Sequence, residues 1–398
     1  MDSSLYADSS HYGKRPTIPR WVWVGAACLV VALLLLRLLG GCGRTKGVEA
    51  EPSATTAEAS ATEDVADSAP PPRVYNPENL PTSFSTLNFP TTVDITAAPF
   101  EAFMPSNPAN PGTAFFGSER TGTDGRARWH NGVDIAPVRK DRNGRALDTV
   151  STMVDGTVVY VERVGGNSQY GIHAILEHDD PIGKVYTLYA HLASLAPEIK
   201  VGAVLTAKTP VGIIGNTGTQ GIALSRSHVH VEFNLMLNYR FGAWYKEKQL
   251  TPDRGRYHGY NLVGANPISV FSFLQNRPGA TFLDFVQSIP VGFEILINNP
   301  KKTPIDYFER YPKLWDGPKG YVGAVAVKVA DSGIILAGRP ATDDEKARLS
   351  RNSNAPVILS VNETVLGRNG YRIIAKGTTD WVLGKNDVSR RWFELLTY

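Results

Sequence analysis

Cysteine is nearly absent from this sequence. Among 398 residues there are two, Cys28 and Cys42, and both lie in or beside an apolar segment near the N-terminus. The remainder of the chain can hold neither a disulfide nor a thiolate metal site. Any transition metal must be bound there through nitrogen and oxygen. Strong charge is lacking as well. The net charge is +3, and the basic residues are scattered rather than gathered on one element, so nucleic acid is not expected as a partner. What is present is an ordinary globular balance, 42% hydrophobic against 20% charged, in a chain long enough for two modest domains and accessory segments.

Residues Trp21 to Leu36 form an unbroken run of apolar or small residues. As a helix the run spans roughly 24 Å, and Arg37, Leu38 and Leu39 extend it to about 28 Å, close to the bilayer core of about 30 Å. Arg37 would snorkel to the headgroups. Lys14, Arg15 and Arg20 precede the run and hold residues 1–20 in the cytoplasm. This predicts one transmembrane helix over 21–39, with the body in the periplasm or outside the cell. The alternative is a lipoprotein: Leu39-Gly40-Gly41-Cys42 resembles a bacterial lipobox, with Cys42 as the lipidated residue. Residues 43–72, rich in Ala, Ser, Thr, Glu and Pro, read as a disordered linker. Residues 74–113 read as an irregular lead-in that packs on the domain after it.

From about residue 114 strand signals dominate. Short β-branched or aromatic runs at Thr157–Val161, His173–Leu176, Val185–Leu192 and Val229–Leu235 are punctuated by Gly, Asn and Asp, with no competing helical period. A mainly β fold with an antiparallel core follows. Residues 238–264 interrupt it with six aromatics, either a self-anchored loop or one wall of a groove. Beyond about residue 277, strand-like runs at Gly323–Val329, Val357–Val361 and Tyr371–Ala375, with a capping-box pattern at Thr342–Glu345, predict a small α+β module over 277–398.

Four of eight histidines fall in three motifs, His130-Asn-Gly-Val-Asp134, Tyr189-Ala-His191-Leu192 and His228-Val-His230-Val-Glu232. Strand alternation puts His228, His230 and Glu232 on one face and Val229, Val231 and Phe233 on the other. The same alternation puts Thr187, Tyr189 and His191 on one face, with Leu188, Ala190 and Leu192 opposite. His130 and Asp134 fit a turn leading into a strand, where Gly132 would let the backbone bend back. Two imidazoles and a carboxylate suit a three-ligand zinc site whose fourth position goes to water. For Glu232, orienting a ring and lying at the surface both stay open. His178 reads as turn chemistry at a strand end, His258 as part of the 238–264 stretch, and Arg139, Lys140, Arg142 and Arg145 as a solvated basic loop.

Together these motifs resemble the H-x(3)-D, Y-x-H-L and H-x-H motifs of the lysostaphin/LytM-type zinc metallopeptidases. The resemblance covers roughly Ala114 to Leu274, with the Gly-rich turn Gly212–Gly218 and a closing Asn266-Pro267. It implies a compact antiparallel β-sheet peptidase domain over 114–276, with a groove across one sheet. It also implies hydrolysis of peptide cross-links or stem peptides in peptidoglycan, and one zinc ion per chain. Carried over by position, His130, Asp134 and His230 become the metal ligands and His191 and His228 the catalytic pair. With Asp134 taken as a ligand, the general-base and oxyanion roles fall to those two histidines, undivided between them. Residues 238–264 and 139–148 lengthen loops relative to the family. A non-catalytic member that activates a cell-wall amidase is the alternative; the expected mark of such a protein is a lost ligand, and none is lost.

Overall fold

The computed structural model describes residues 82–121, 127–250, 255–299, 301–350, 354–367 and 372–398. The segments expected as anchor and linker lie outside the described residues. Among those described, no helix is long and apolar enough to cross a membrane.

The β-branched and aromatic runs become strands of one nine-stranded antiparallel sheet, flanked by the small hairpin β1 (Glu119–Thr121) and β2 (Ala127–Trp129). In chain order the large sheet contains β3 (Val133–Ile135), β4 (Thr149–Ser151), β5 (Gly156–Glu162), β6 (Ile172–Asp180), β7 (Gly183–Leu195), β8 (Val204–Leu205), β9 (Pro210–Ile214), β10 (Val229–Met236) and β11 (Leu262–Ala265). Its spine runs β11-β10-β7-β6-β5-β8. Strand β10 is buried along its whole length because both edges are paired, one by β7 and the other by β3 and β11 placed end to end. Val229, Val231, Phe233 and Leu235 enter the main core, and Tyr189 and Leu192 join them there. Ile175, Leu188, Ala190, Met236 and Leu262 form a smaller apolar cluster elsewhere.

The 238–264 stretch is more ordered than a loop. It forms a helix over Phe241–Glu247, a 3-10 turn over Gly255–Tyr257 and then β11, and its Tyr257 and Tyr239 pack on the smaller cluster. Beyond residue 277 a four-stranded antiparallel sheet follows, built from β12 (Phe293–Ile297), β13 (Val325–Val329), β14 (Ile335–Pro340) and β15 (Val357–Val361), then the hairpin β16 (Ile374–Lys376) and β17 (Trp381–Leu383). Its helices include Asp343–Ala347, with the expected capping box at Thr342 and Glu345, and Asp387–Leu396.

This segment is tied to the large sheet by buried polar contacts. Tyr311 accepts from the Met236 N–H at 2.9 Å and donates to the Lys184 carbonyl at 3.0 Å. Asp180, at the β6–β7 turn, accepts from Thr82 at 2.7 Å, from Phe282 N–H at 2.9 Å and from Leu283 N–H at 3.0 Å. One carboxylate thus joins the lead-in, the sheet and the helix Phe282–Ser288.

His178 is a buried strand residue, since β6 continues through Asp180. Its Nδ1–H donates to the Asp155 carbonyl at 2.8 Å, and its Nε2 lies 2.7 Å from the Thr187 hydroxyl. Burial, against a weaker pull from the Asp155 carbonyl, lowers its pKa from about 6.5 to about 4. The unfolded chain therefore takes up this proton first as pH falls. The stabilisation from keeping the ring neutral is complete above about pH 6.5 and lost between there and pH 4, about 3 kcal/mol at most. Thermal unfolding from pH 8 to 4 should show a steeper decline for the natural chain than for His178→Gln. Equal slopes would remove His178 from the account.

Candidate active site

Register brings the first two donors together. Asp134 on β3 stands directly opposite His230 on β10, so their side chains share a face. His130, just before β3, is held by backbone bonds from its N–H to the Ser118 carbonyl, 3.0 Å, and from the Gly117 N–H to its own carbonyl, 2.7 Å. His130 Nε2 then lies 2.9 Å from Asp134 Oδ1 and 2.8 Å from His230 Nδ1, and His230 Nδ1 lies 2.9 Å from the same oxygen. All three residues are buried, and their ligating atoms lie within 4.8 Å of one another. Gly132 acts differently from the sequence expectation. Its φ is not left-handed; a Cβ there would lie 2.1 Å from the Val231 carbonyl oxygen. The glycine allows β3 to pack closely on β10 rather than bending the turn.

The outward nitrogen of each imidazole fixes what the inward one offers. His130 Nδ1–H donates to the Phe115 carbonyl at 2.9 Å, and His230 Nε2–H donates to Glu232 Oε1 at 2.7 Å. The inward His130 Nε2 and His230 Nδ1 then present lone pairs to each other and to Asp134 Oδ1. Three acceptors converging in a dry site call for a cation. A proton can serve: burial opposes charge on His230, but its bonds to Asp134 and Glu232 outweigh that and raise its pKa to about 9. A divalent metal suits the same donor set, two imidazoles and a carboxylate. Burial pulls His130 down to about 4 against the attraction of Asp134. Asp134 stays well below the carboxylate range despite its burial, through His130, Arg120 and His228.

Glu232 is fully buried, not a surface carboxylate. Besides the His230 bond it accepts from Tyr170 at 2.9 Å and from Asn234 at 2.9 Å. Burial works against its charge, yet these bonds hold it below its usual range. It orients the His230 ring.

His191 reaches the site by a route that alternation did not predict. Across β10, Ala190 pairs with His230 and Tyr189 with Val231, so Tyr189 faces the core. Unbroken alternation would send His191 there too. Instead His191 adopts φ +61°, the β6–β7 register slips between Ile172 and Ala174, and Leu192 takes the core position. This bulge turns the imidazole to the other face. Its ring centroid lies 4.8 Å from that of His228 and 6.0 Å from that of His230. His228 precedes β10 and bridges to Gly215 in the Gly-rich turn. His191 Nδ1–H donates to the Thr217 carbonyl and His228 Nδ1–H to the Arg226 carbonyl, both at 2.8 Å. Each ring is left with a lone pair on Nε2, and that of His228 lies 3.8 Å from Asp134 Oδ1. Burial, then the neighbouring imidazoles, push His191 well below its ordinary pKa; burial lowers His228 as well, against Asp134.

Arg120 was not legible in the sequence. It sits on β1, donates twice to the Thr113 carbonyl, and pairs with Asp134 Oδ2 at 2.6 Å. That leaves Oδ1 as the carboxylate oxygen turned to the histidines. No motif singles it out; only the β1–β2 hairpin brings it back over the His130 turn. His258 stands apart, packed on Phe241, Tyr245 and Tyr260. Arg139, Lys140, Arg142 and Arg145 are exposed.

A mainly antiparallel β protein with a buried candidate metal centre on its sheet, and two further imidazoles beside it, is the class these features define. Residues 128–240 match Peptidase family M23, and this segment resembles the lysostaphin/LytM type. Among solved structures it is similar to the catalytic domain of the antimicrobial peptidase lysostaphin from Staphylococcus simulans, at 24% identity over 30% of this chain and 75% of that one, TM-score 0.22. A zinc containing peptidase from Vibrio cholerae is 25% identical over 33% of this chain and 36% of that one, TM-score 0.22. The protein cbpa from L. salivarius REN is 16% identical over 48% of this chain and 99% of that one, TM-score 0.29. The resemblance rests on the match at 128–240, less than a third of the chain. No curated protein matches the sequence.

Proposed function

We propose that this protein is a zinc endopeptidase that hydrolyses peptide bonds of bacterial peptidoglycan. The observation that carries the reading is the complete donor set His130, Asp134 and His230, with inward lone pairs fixed by outer hydrogen bonds. These residues would hold the zinc ion. Bound there, zinc would polarise a peptide carbonyl and lower the pKa of a water toward neutrality. His191 and His228 supply the remaining chemistry. Each spends its Nδ1–H on a backbone carbonyl, so each keeps Nε2 to take a proton or, once protonated, to donate to a developing oxyanion. Arg120 and Glu232 hold Asp134 and His230 in place.

The intact donor set also weighs against a binding-only activator of an amidase. The apolar run at 21–39 supports a body held outside the cytoplasm, by a transmembrane helix or by lipid on Cys42. Incubating the zinc-loaded chain with purified peptidoglycan should release new muropeptides, resolved by chromatography. A chelator should stop the release and added zinc restore it. Intact peptidoglycan with one zinc bound per chain would overturn the reading in favour of the amidase activator.

A further inference from the structure

A side chain from the segment beyond residue 277 reaches the site. Arg372, just ahead of β16, donates from Nη1 to Asn131 Oδ1 at 2.8 Å and to the Ser332 carbonyl at 3.4 Å. Asn131 is the second residue of the His130–Asp134 motif, adjacent to His130. The backbone of Arg372 is itself anchored: its carbonyl accepts from the Ser389 hydroxyl at 2.8 Å, in the first turn of the helix Asp387–Leu396. The guanidinium is therefore held at a fixed place beside the metal donors.

Its charge is not matched there. Among the described residues no carboxylate pairs with it directly, and its Nε is buried without an acceptor. The carboxylate whose attraction it feels is Glu232, already committed to His230, Tyr170 and Asn234. Burial pulls the guanidinium down to about 10, still charged at neutral pH, against the attraction of Glu232. An arginine that is only half-buried, and that has no ion-pair partner among the described residues, is poised for an anion arriving with the substrate. Planar guanidinium matches planar carboxylate.

We propose that Arg372 is a specificity-determining residue of this site, binding a carboxylate of the peptide substrate on the side of the site bounded by Asn131 and Tyr170. The proposal rests on the peptidase reading for its substrate class. It makes the segment beyond residue 277 a contributor to recognition, which the sequence motifs alone did not suggest.

The test uses the zinc-loaded chain and two forms of one probe, a peptidoglycan stem tetrapeptide with free carboxylates and the same peptide with every carboxylate amidated. Affinity is measured by calorimetry, and kcat and KM are measured on cross-linked dimers of each form. The natural chain should favour the free carboxylate about tenfold to hundredfold. Arg372→Gln, which keeps a donor for Asn131 but no charge, should bring that ratio close to one by weakening the carboxylate form, with kcat and zinc content little changed. Arg372→Lys should restore part of the preference. Two results would overturn the proposal: no preference in the natural chain, or equal losses for both forms in Arg372→Gln, which would leave the arginine only a clamp on Asn131. Preference in binding with neither dimer cleaved would sink the peptidase reading and leave the carboxylate site standing.

Discussion

His230→Ala is expected to strip the metal and lower peptide hydrolysis by about a thousandfold or more. His230 links the other two donors to the buried carboxylate of Glu232. His230 Nδ1 contacts both His130 Nε2 and Asp134 Oδ1, and its Nε2 is the contact through which Glu232 acts. Removing it leaves one imidazole and one carboxylate, too few for a structured zinc site. It also leaves Glu232, fully buried, without its strongest partner. Zinc per chain after dialysis and turnover of cross-linked muropeptides are the two measurements. A companion, Glu232→Gln, keeps the bulk and an acceptor but loses the charge, and should weaken metal affinity about 10- to 100-fold. If His230→Ala retained one zinc and near-natural turnover, the centre would lie elsewhere.

The second large effect concerns the paired imidazoles. His228→Ala and His191→Ala should each keep the zinc and lower kcat by about 10²–10⁴, with smaller changes in KM. Neither ring is among the three converging donors, so metal content should hold. On the proposed peptidase reading, their bonds to the Arg226 and Thr217 carbonyls leave each Nε2 free to transfer a proton. The two losses should not multiply in the double variant, because residues acting on one proton path fail together. A loss under tenfold in both single variants would remove this pair from the chemistry.

How far the sequence carries differs from residue to residue. On β10, alternation alone placed His230 and Glu232 opposite Val231 and Phe233, because its register with β7 runs unbroken from His230 to Asn234. Applied to β7, the same rule sent His191 to the wrong face. The bulge that rescues it depends on register with β6 and on a left-handed residue, and neither is encoded in a two-residue period. Gly132 was correctly singled out for the wrong reason, since its value lies in a close approach to a strand about a hundred residues away.

Residue types and spacings were enough to point to a cysteine-free candidate centre of oxygen and nitrogen donors on an antiparallel sheet, because donor chemistry and strand pleat are local properties. Arg120 over Asp134, the burial of Glu232, the turned ring of His191 and Arg372 on Asn131 came only with the folded chain. Each of these depends on segments distant in sequence packing side by side, and a pattern read along one strand carries no record of its neighbours.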